Sequence, residues 1–246
     1  MKRSEFLRLA AILPFGIALT PHYVIADNHE DFYSKQSLMG LSNPSLTGTN
    51  FRLLPKVALS FLEMQKEAKK DGVILYSQSS YRSYYRQKGI WERKYNVFLA
   101  SGLKPGEAIS KIIEYSTIPG TSRHHWGTDL DIIDLSISTP KNPLHEKHFK
   151  SGGAYEKLHL WMEENAEKYG FVLVYTNDPN RKGFKYEPWH FSFKEEAIPR
   201  LEAFLKLDIV KELSDRKLVG SEYFNDEFIE RYISENIRSI NPKLLP

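Results

Sequence analysis

The centre of the chain carries the sequence SRHHWGTDLDIIDL at residues 122–135. Residues 130–135 are mostly apolar and predict a buried β-strand. Gly127 allows the chain to turn between a polar loop and this strand. Side chains alternate along a strand, so Asp129 and Asp131 share one face and Asp134 lies on the other. We therefore predict polar side chains from the loop and the strand at one place, and a structural hydrogen bond at Asp134.

Apolar residues on both sides of this segment recur at helical or strand spacing. The pattern predicts helices at residues 53–70, 84–100, 106–115, 155–169, 195–206 and 225–237. It predicts strands at residues 73–76, 130–135, 171–175 and 189–193. The two kinds of element do not alternate as regular βαβ units, so we predict an α+β fold. We expect a small, mostly antiparallel central sheet flanked by helices in a single domain.

The composition narrows the classes of function. A chain of 246 residues can hold one sizeable domain with appendages, or two small domains. Three of its 34 basic residues and one of its 31 acidic residues lie in the first 26 positions, which leaves 31 basic and 30 acidic residues. This balance argues against nucleic acid as a partner. The chain has no cysteine, so disulfides, thiolate metal sites and a cysteine nucleophile are excluded.

Residues 1–26 predict an export signal, with basic residues at the start and an apolar stretch at residues 9–19. Val24-Ile25-Ala26 offers a cleavage site, so we expect the mature chain to begin near Asp27. The apolar stretch is too short to cross a bilayer comfortably. We therefore expect an exported, periplasmic or cell-envelope protein without an integral membrane segment after cleavage. An uncleaved N-terminal anchor is the alternative.

Polar residues suited to catalysis concentrate in three segments, at residues 79–87, 122–131 and 186–191. Zinc in a hydrolytic site takes three protein ligands and leaves a fourth position for water. His124, Asp131 and His190 supply two imidazoles and one carboxylate, which suit this ion. Because Asp129 shares the strand face of Asp131, either carboxylate could be the ligand.

Glu187 stands three residues before His190 and is the candidate general base for a metal-activated water molecule. A regular strand would separate residues at this spacing. Pro188 between them predicts a bend that can direct both side chains into one cavity.

Arg82 is the candidate electrostatic catalyst, because a permanent cation with planar donors suits a substrate carboxylate or a developing oxyanion. Gln87 and Ser122 can hydrogen-bond the peptide or carboxylate of the substrate. His125 is predicted to be a neighbour of the metal ligands and not a ligand. His145 and His148 are predicted to be solvated, because no H-E-x-x-H motif accompanies them.

These motifs resemble those of the VanY-type D-alanyl-D-alanine carboxypeptidase family, which also contains LD-carboxypeptidases. The resemblance covers residues 53–206 and rests on three ordered motifs: Ser80-Tyr81-Arg82-Ser83 with Gln87, Ser122-x-His124-x-x-Gly127-x-x-x-Asp131, and Glu187-x-Trp189-His190. It implies that zinc is bound by His124, Asp131 and His190, and that Glu187 is the catalytic base.

The resemblance further implies that Arg82, Gln87 and Ser122 contact the substrate, and we include Ser80 and Tyr81 of the same motif. It also implies a small α+β catalytic domain. One position departs from the family, which usually has a small residue, often Ala, where this chain has Asp129. An extra carboxylate there can tune the metal site or alter substrate preference.

The expected activity is hydrolysis of the peptide bond before a C-terminal D-alanine in peptidoglycan stem peptides or muropeptides, at either a DD or an LD bond. Residues 27–52 are expected to be a lead-in segment, residues 53–206 the zinc carboxypeptidase domain and residues 207–246 a helical C-terminal extension. The alternatives are a non-catalytic cell-wall peptide-binding protein, and an endopeptidase or dipeptidase on the same scaffold.

Overall fold

A four-stranded antiparallel sheet lies at the centre of the computed structural model, which describes residues 32–214 and 217–246. The predicted export signal lies outside the described residues. The strand order is β1-β2-β4-β3, and all neighbouring pairs are antiparallel. The strands are β1 (Leu75–Ser79), β2 (Asp129–Asp134), β3 (Phe171–Leu173) and β4 (His190–Phe193).

Eight α-helices surround the sheet within the described ranges. They are α1 (Lys35–Leu38), α2 (Pro55–Lys70), α3 (Tyr84–Ala100), α4 (Pro105–Ile112), α5 (Glu156–Asn165), α6 (Lys194–Phe204), α7 (Ile209–Ser214) and α8 (Asp226–Tyr232). The predicted α+β fold with a small antiparallel sheet is therefore confirmed. None of these helices has both the length and the apolar character that crossing a membrane requires.

Alternating side chains give the central strands two different faces. Leu130, Ile132, Phe191 and Phe193 belong to a hydrophobic core that includes residues of α2 and α5. The residues between them are buried as well, but they are polar: Asp129, Asp131, His190 and Ser192. The sheet thus has an apolar face on this core and carries the polar residues of β2 and β4 on its other face.

A second core contains the first and last described segments of the chain. Leu38 and Met39, in the expected lead-in segment, are buried with Trp91 of α3 and Phe204 of α6. Tyr232 of α8, in the expected C-terminal extension, belongs to the same core. Both terminal segments therefore pack in the same core as α3 and α6.

The strand predicted at residues 73–76 has the wrong bounds, because β1 begins at Leu75 and ends at Ser79. Pairing begins with Leu75 opposite Asp134, because the backbone N–H of Ile74 donates instead to Asp134 Oδ1 at 2.9 Å. The carboxylate of Asp134 also accepts hydrogen bonds from Ser136. The predicted structural hydrogen bond of Asp134 is confirmed, and it defines where β1 can begin.

Several predicted helices end differently. The helix predicted at residues 106–115 begins at Pro105 and ends at Ile112, and its N-terminus is closed by the Glu107 side chain, which accepts from the Lys104 N–H. The helix predicted at residues 225–237 is α-helical only as far as Tyr232 and continues as a π-helix, Ile233–Ile237.

The helix predicted at residues 155–169 divides into α5 and a 3₁₀ turn, Ala166–Tyr169, before Gly170. The strand predicted at residues 171–175 ends at Leu173. These differences arise from local hydrogen bonding, which hydrophobic periodicity does not describe.

Candidate active site and metal centre

The register of β2 and β4 places Asp131 directly opposite His190. On the other side of β2, Asp131 pairs with Ser79, at an irregularity between Ser77 and Ser79 where β1 ends. Side chains directly opposite each other in an antiparallel pair are close neighbours. The sheet therefore brings two of the predicted metal ligands together although they are far apart in sequence.

His124 reaches the same place from the loop before β2. It lies in a 3₁₀ turn, Arg123–Trp126, that ends at Gly127 with a φ of 67°. This left-handed conformation favours glycine and directs the chain into the strand. His124 Nδ1 lies 2.8 Å from the carbonyl oxygen of Ser80, so Nδ1 donates and Nε2 is free to act as a ligand. Burial, reinforced by Arg82, lowers the pKa of His124 and keeps the ring neutral.

His124, Asp131 and His190 form a group that could hold a metal ion, since one ligand atom from each lies within 4.8 Å of the others. All three residues are buried. Asp131 Oδ1 has no hydrogen-bond partner among the described residues. Leaving a buried carboxylate oxygen without a partner is costly. The donor set and this oxygen both fit a divalent cation with nitrogen and oxygen ligands.

Asp129 lies on the far side of the His190 ring. His190 Nε2 donates to Asp129 Oδ2 at 2.9 Å, whereas His190 Nδ1 lies 3.8 Å from Asp131 Oδ1. Of the two carboxylates that the sequence offers as ligands, Asp131 faces His124, and Asp129 orients the ring of His190. A carboxylate that accepts from the second nitrogen of a ligating histidine fixes its tautomer and raises its basicity.

A buried hydrogen-bond network holds Asp129 in place. Arg123 Nε donates to Asp129 Oδ2 at 3.0 Å, and the hydroxyls of Thr128 and Ser192 donate to Oδ1 at 2.6 and 2.7 Å. Arg123 also donates to the Ser192 hydroxyl at 2.7 Å. Burial alone would raise the pKa of Asp129, but Arg123 and His190 outweigh it and hold that pKa well below its usual range. The carboxylate is therefore a fixed negative charge.

The neighbouring charges also set the pKa values of the candidate ligands. Burial alone would raise the pKa of Asp131, but the two histidines and Arg82 outweigh it and keep that pKa low. Burial alone would lower the pKa of His190, but Asp129 and Glu187 outweigh it and raise that pKa to about 9. The carboxylates thus stabilise positive charge at this place, as a bound cation requires.

Glu187 enters the site through a turn. The backbone N–H of His190 donates to the carbonyl of Glu187 at 3.0 Å, which closes a turn over Pro188 and Trp189. The bend predicted at Pro188 is confirmed. Glu187 Oε2 lies 3.1 Å from His190 Nδ1, and burial raises the pKa of Glu187. The side chain therefore stands beside the candidate metal ligands with a carboxyl group that binds protons more readily than usual.

Arg82 follows the end of β1, and each nitrogen of its guanidinium donates one hydrogen bond. Its side chain donates to Ser79 Oγ at 3.0 Å, to Gln87 Oε1 at 3.1 Å and to Asp131 Oδ2 at 2.9 Å. Its backbone N–H donates to the carbonyl of His124 at 3.0 Å. The guanidinium is therefore fixed next to the candidate metal ligands.

His125 is buried behind Arg82. His125 Nδ1 lies 2.6 Å from the Arg82 carbonyl, and the Gly120 N–H donates to His125 Nε2 at 3.2 Å. Burial lowers the pKa of His125 to about 3, so the ring is neutral. Gly40 approaches so closely that a Cβ there would lie 2.4 Å from this ring. His125 thus connects the first described segment to Arg82.

Some of the predicted site residues line a cleft of about 680 Å³, and the others lie behind its wall. The cleft is lined by six of them: Arg82, Ser122, His124, Asp131, Glu187 and His190. Gln87 is fully buried behind Arg82 and donates to the Thr117 carbonyl at 2.9 Å. Ser80 accepts from the Arg52 N–H, and the Tyr81 hydroxyl donates to the Ser42 carbonyl. Ser80 and Tyr81 are therefore bonded to the segment before α2.

The structure adds residues that the sequence does not single out. Tyr175 lines the cleft, and its ring meets that of His190 edge to face at 5.1 Å between centroids. Arg123 stands inside the central motif, and its position next to the candidate ligand His124 is the only sequence signal of its role. The exposed His145 and the half-buried His148 lie in a separate loop, and His145 reaches the rim of the cleft.

The chain is similar to known proteins over much of its length. The family model "VanY: D-alanyl-D-alanine carboxypeptidase" matches residues 50–196. A D-alanyl-D-alanine carboxypeptidase of Enterococcus faecalis (strain ATCC 700802 / V583) is 28% identical over 127 residues, which are 51% of this chain and 42% of that protein. The chain spans about half the length of the curated relatives that it matches.

Two solved structures share the fold. VanYB in complex with D-alanine-D-alanine is 22% identical, with a TM-score of 0.52 over 72% of this chain and 91% of that chain. A VanY mutant from a VanB-type resistance cassette in complex with Zn(II) is 22% identical, with a TM-score of 0.50 over 74% of this chain and 90% of that chain. The family model covers more than half of the chain, including His124, Asp131, Glu187 and His190. The chain therefore belongs to the VanY D-alanyl-D-alanine carboxypeptidase family.

Proposed function

We propose that the protein is an exported, zinc-dependent carboxypeptidase that hydrolyses the peptide bond before a C-terminal D-alanine in peptidoglycan stem peptides or muropeptides. The proposal covers both DD and LD bonds. The observation that carries it is the buried group of His124, Asp131 and His190, with Glu187 beside it in one cleft. The zinc and the D-alanine-D-alanine bound by structural neighbours support the same chemistry.

His124 Nε2, His190 Nδ1 and an oxygen of Asp131 would hold the zinc ion. Two neutral imidazoles and one carboxylate leave the net charge positive, as a Lewis acid needs. Zinc at this site would polarise the scissile carbonyl and lower the pKa of a water molecule. The hydrogen bonds from His124 to the Ser80 carbonyl and from His190 to Asp129 orient both rings for this role.

Glu187 is the residue that moves protons in this proposal. Its carboxylate accepts a proton from the attacking water and returns it to the nitrogen of the leaving D-alanine. A raised pKa suits both halves of this task, because the carboxyl group must bind the proton and then release it. A protein that only bound the peptide would not need such a group next to the metal ligands.

Arg82 stabilises negative charge on the substrate. Its guanidinium is held by Ser79, Gln87 and Asp131, so little side-chain entropy is lost when it binds an anion. It can bind the terminal carboxylate or the oxyanion that develops on the scissile carbonyl. Gln87 acts in this account by orienting Arg82, and Ser122 lines the cleft where the peptide lies.

Replacing Glu187 with Gln tests the catalytic role. The amide keeps the size of the side chain but cannot accept the proton, so we expect kcat for D-alanine release to fall at least about a hundredfold. Zinc should stay bound, because the three ligands are unchanged. Glu164→Gln, the same substitution at an exposed position of α5, should leave both quantities unchanged. Near-normal kcat in Glu187→Gln would show that the base lies elsewhere, and loss of zinc would make Glu187 a ligand.

Replacing Asp129 with Asn tests whether this carboxylate tunes the metal site. The variant removes the charge that orients His190, so we expect zinc affinity to fall by roughly 10- to 100-fold. The measurement is competition with a chelator of known affinity, with circular dichroism to establish folding. Ser192→Ala removes one hydrogen bond to Asp129 but keeps its charge, and should weaken zinc binding less.

Asp134→Asn is the matched control on the opposite face of β2. It should lower the free energy of unfolding, because the amide loses the Oδ2 that accepts from the Ser136 hydroxyl and the charge that strengthens the bonds from the Ile74 and Ser136 N–H groups. The folded variant should keep its zinc affinity. Wild-type zinc affinity in folded Asp129→Asn protein would contradict the proposed role of Asp129.

Export is proposed from the basic and apolar pattern of residues 1–26. The substrate lies outside the cytoplasmic membrane, so the proposed activity requires the same location. We expect N-terminal sequencing of the protein from its native cell envelope to begin at or near Asp27. Met1 on protein from the cytosolic fraction would contradict export.

A further inference from the structure

Helix α3 borders the cleft with basic side chains that the mechanism above does not use. Arg86, Ile90, Arg93 and Lys94 all line the cleft. At about 100° per residue they fall within an arc of roughly 100° on the helix surface. The buried residues of α3 (Tyr84, Gln87, Trp91 and Tyr95) lie on another face. The helix therefore packs with one face into the protein and presents a basic stripe, Arg86, Arg93 and Lys94, to the cleft.

The basic stripe has no ion-pair partner among residues 32–214 and 217–246. This distinguishes it from Lys88 on the same helix, which pairs with Glu92 at 3.5 Å. The acidic residues of the cleft wall are already engaged: Asp131 with Arg82, Glu146 with Lys150 at 2.7 Å, and Glu187 with His190 at 3.1 Å. The three cations thus face the cleft without forming an ion pair in the described part of the protein.

Lys94 carries an electrostatic cost in this position. It is half-buried, and burial lowers its pKa. Glu187 opposes that lowering, whereas Arg82 and Arg93 add to it. A cation that is partly desolvated and faces other cations is stabilised when an anion binds nearby. The position of Lys94 therefore indicates an anionic ligand group along α3.

We propose that Arg86, Arg93 and Lys94 form an anion-binding subsite, and that the peptide substrate carries at least one carboxylate besides its C-terminal one. This inference rests on the proposed function and specifies its substrate class as an acidic peptide. Arg86 and Lys94 are separated by about 12 Å along the helix axis. An extended peptide covers that length with about four residues. Because a carboxypeptidase binds all but the last residue of its substrate before the scissile bond, the additional carboxylate lies on one of those preceding residues.

Two synthetic peptides test the subsite. Both end in D-alanine, and one has a free carboxylate two residues before the scissile bond where the other has a primary amide. Calorimetry with zinc-loaded Glu187→Gln protein measures their binding without depending on turnover. We expect the acidic peptide to bind roughly 3- to 10-fold more tightly, and the preference to shrink as salt is raised.

Matched variants identify the residues responsible. Arg93→Gln combined with Lys94→Gln should remove the preference between the two peptides, whereas Lys88→Gln on the same helix should preserve it. Equal binding of both peptides to the zinc-loaded Glu187→Gln protein would overturn the subsite. A preference for the acidic peptide that persists after the double substitution would overturn it as well.

D-alanine release by the protein that retains Glu187 distinguishes the proposed subsite from the proposed carboxypeptidase activity. Release of D-alanine from both peptides with equal KM would refute the subsite and leave the carboxypeptidase activity standing. Preferential binding of the acidic peptide without release of D-alanine would support the subsite and refute the activity.

Discussion

The antiparallel pairing of Asp131 with His190 is the constraint on which the site depends. This one register places a carboxylate and an imidazole from distant parts of the sequence side by side. It also aligns Asp129 with Ser192, and so creates the pocket that orients His190 from behind. A slip of one residue would turn these polar side chains toward the apolar core and Phe191 toward the cleft. Burial of the apolar face therefore fixes the chemistry of the other face.

Charge balance explains why so many ionisable groups can be buried together. Arg123 compensates Asp129, and Arg82 stands beside Asp131, so each of these two carboxylates has a cation within hydrogen-bond distance. Buried charges are tolerated only when they are paired or bind a metal ion. The family usually has a small residue at the position of Asp129. Here the extra negative charge comes with Arg123, Thr128 and Ser192, which together satisfy both of its oxygens.

Sequence patterns predict the long elements and the chemistry of the site well. Helices α2 and α3 follow from helical periodicity, with Pro55 at the start of α2 and Ser83 capping α3. The grouping of His124, Asp131 and His190 follows from the residue types that a zinc site needs. The turn at Pro188, which brings Glu187 toward His190, follows from the restricted backbone of proline.

Other features depend on tertiary contacts that no local pattern contains. The start of β1 is set by the bond between Ile74 and Asp134, and the role of Asp129 depends on Arg123 and on a residue of another strand. The segment expected to be a polar lead-in buries Leu38 and Met39, because the core that receives them is built from distant helices. The basic stripe of α3 lines the cleft only because the buried side of that helix fixes its rotation.

We propose that one zinc ion at His124, Asp131 and His190 makes the protein a D-alanine carboxypeptidase. Mass spectrometry of defined muropeptides, incubated with purified mature protein before and after complete metal removal, tests it most directly. We expect loss of one terminal D-alanine with the metal present, no product after its removal, and full recovery at one zinc ion per chain. Undiminished release of D-alanine by the metal-free protein would contradict it.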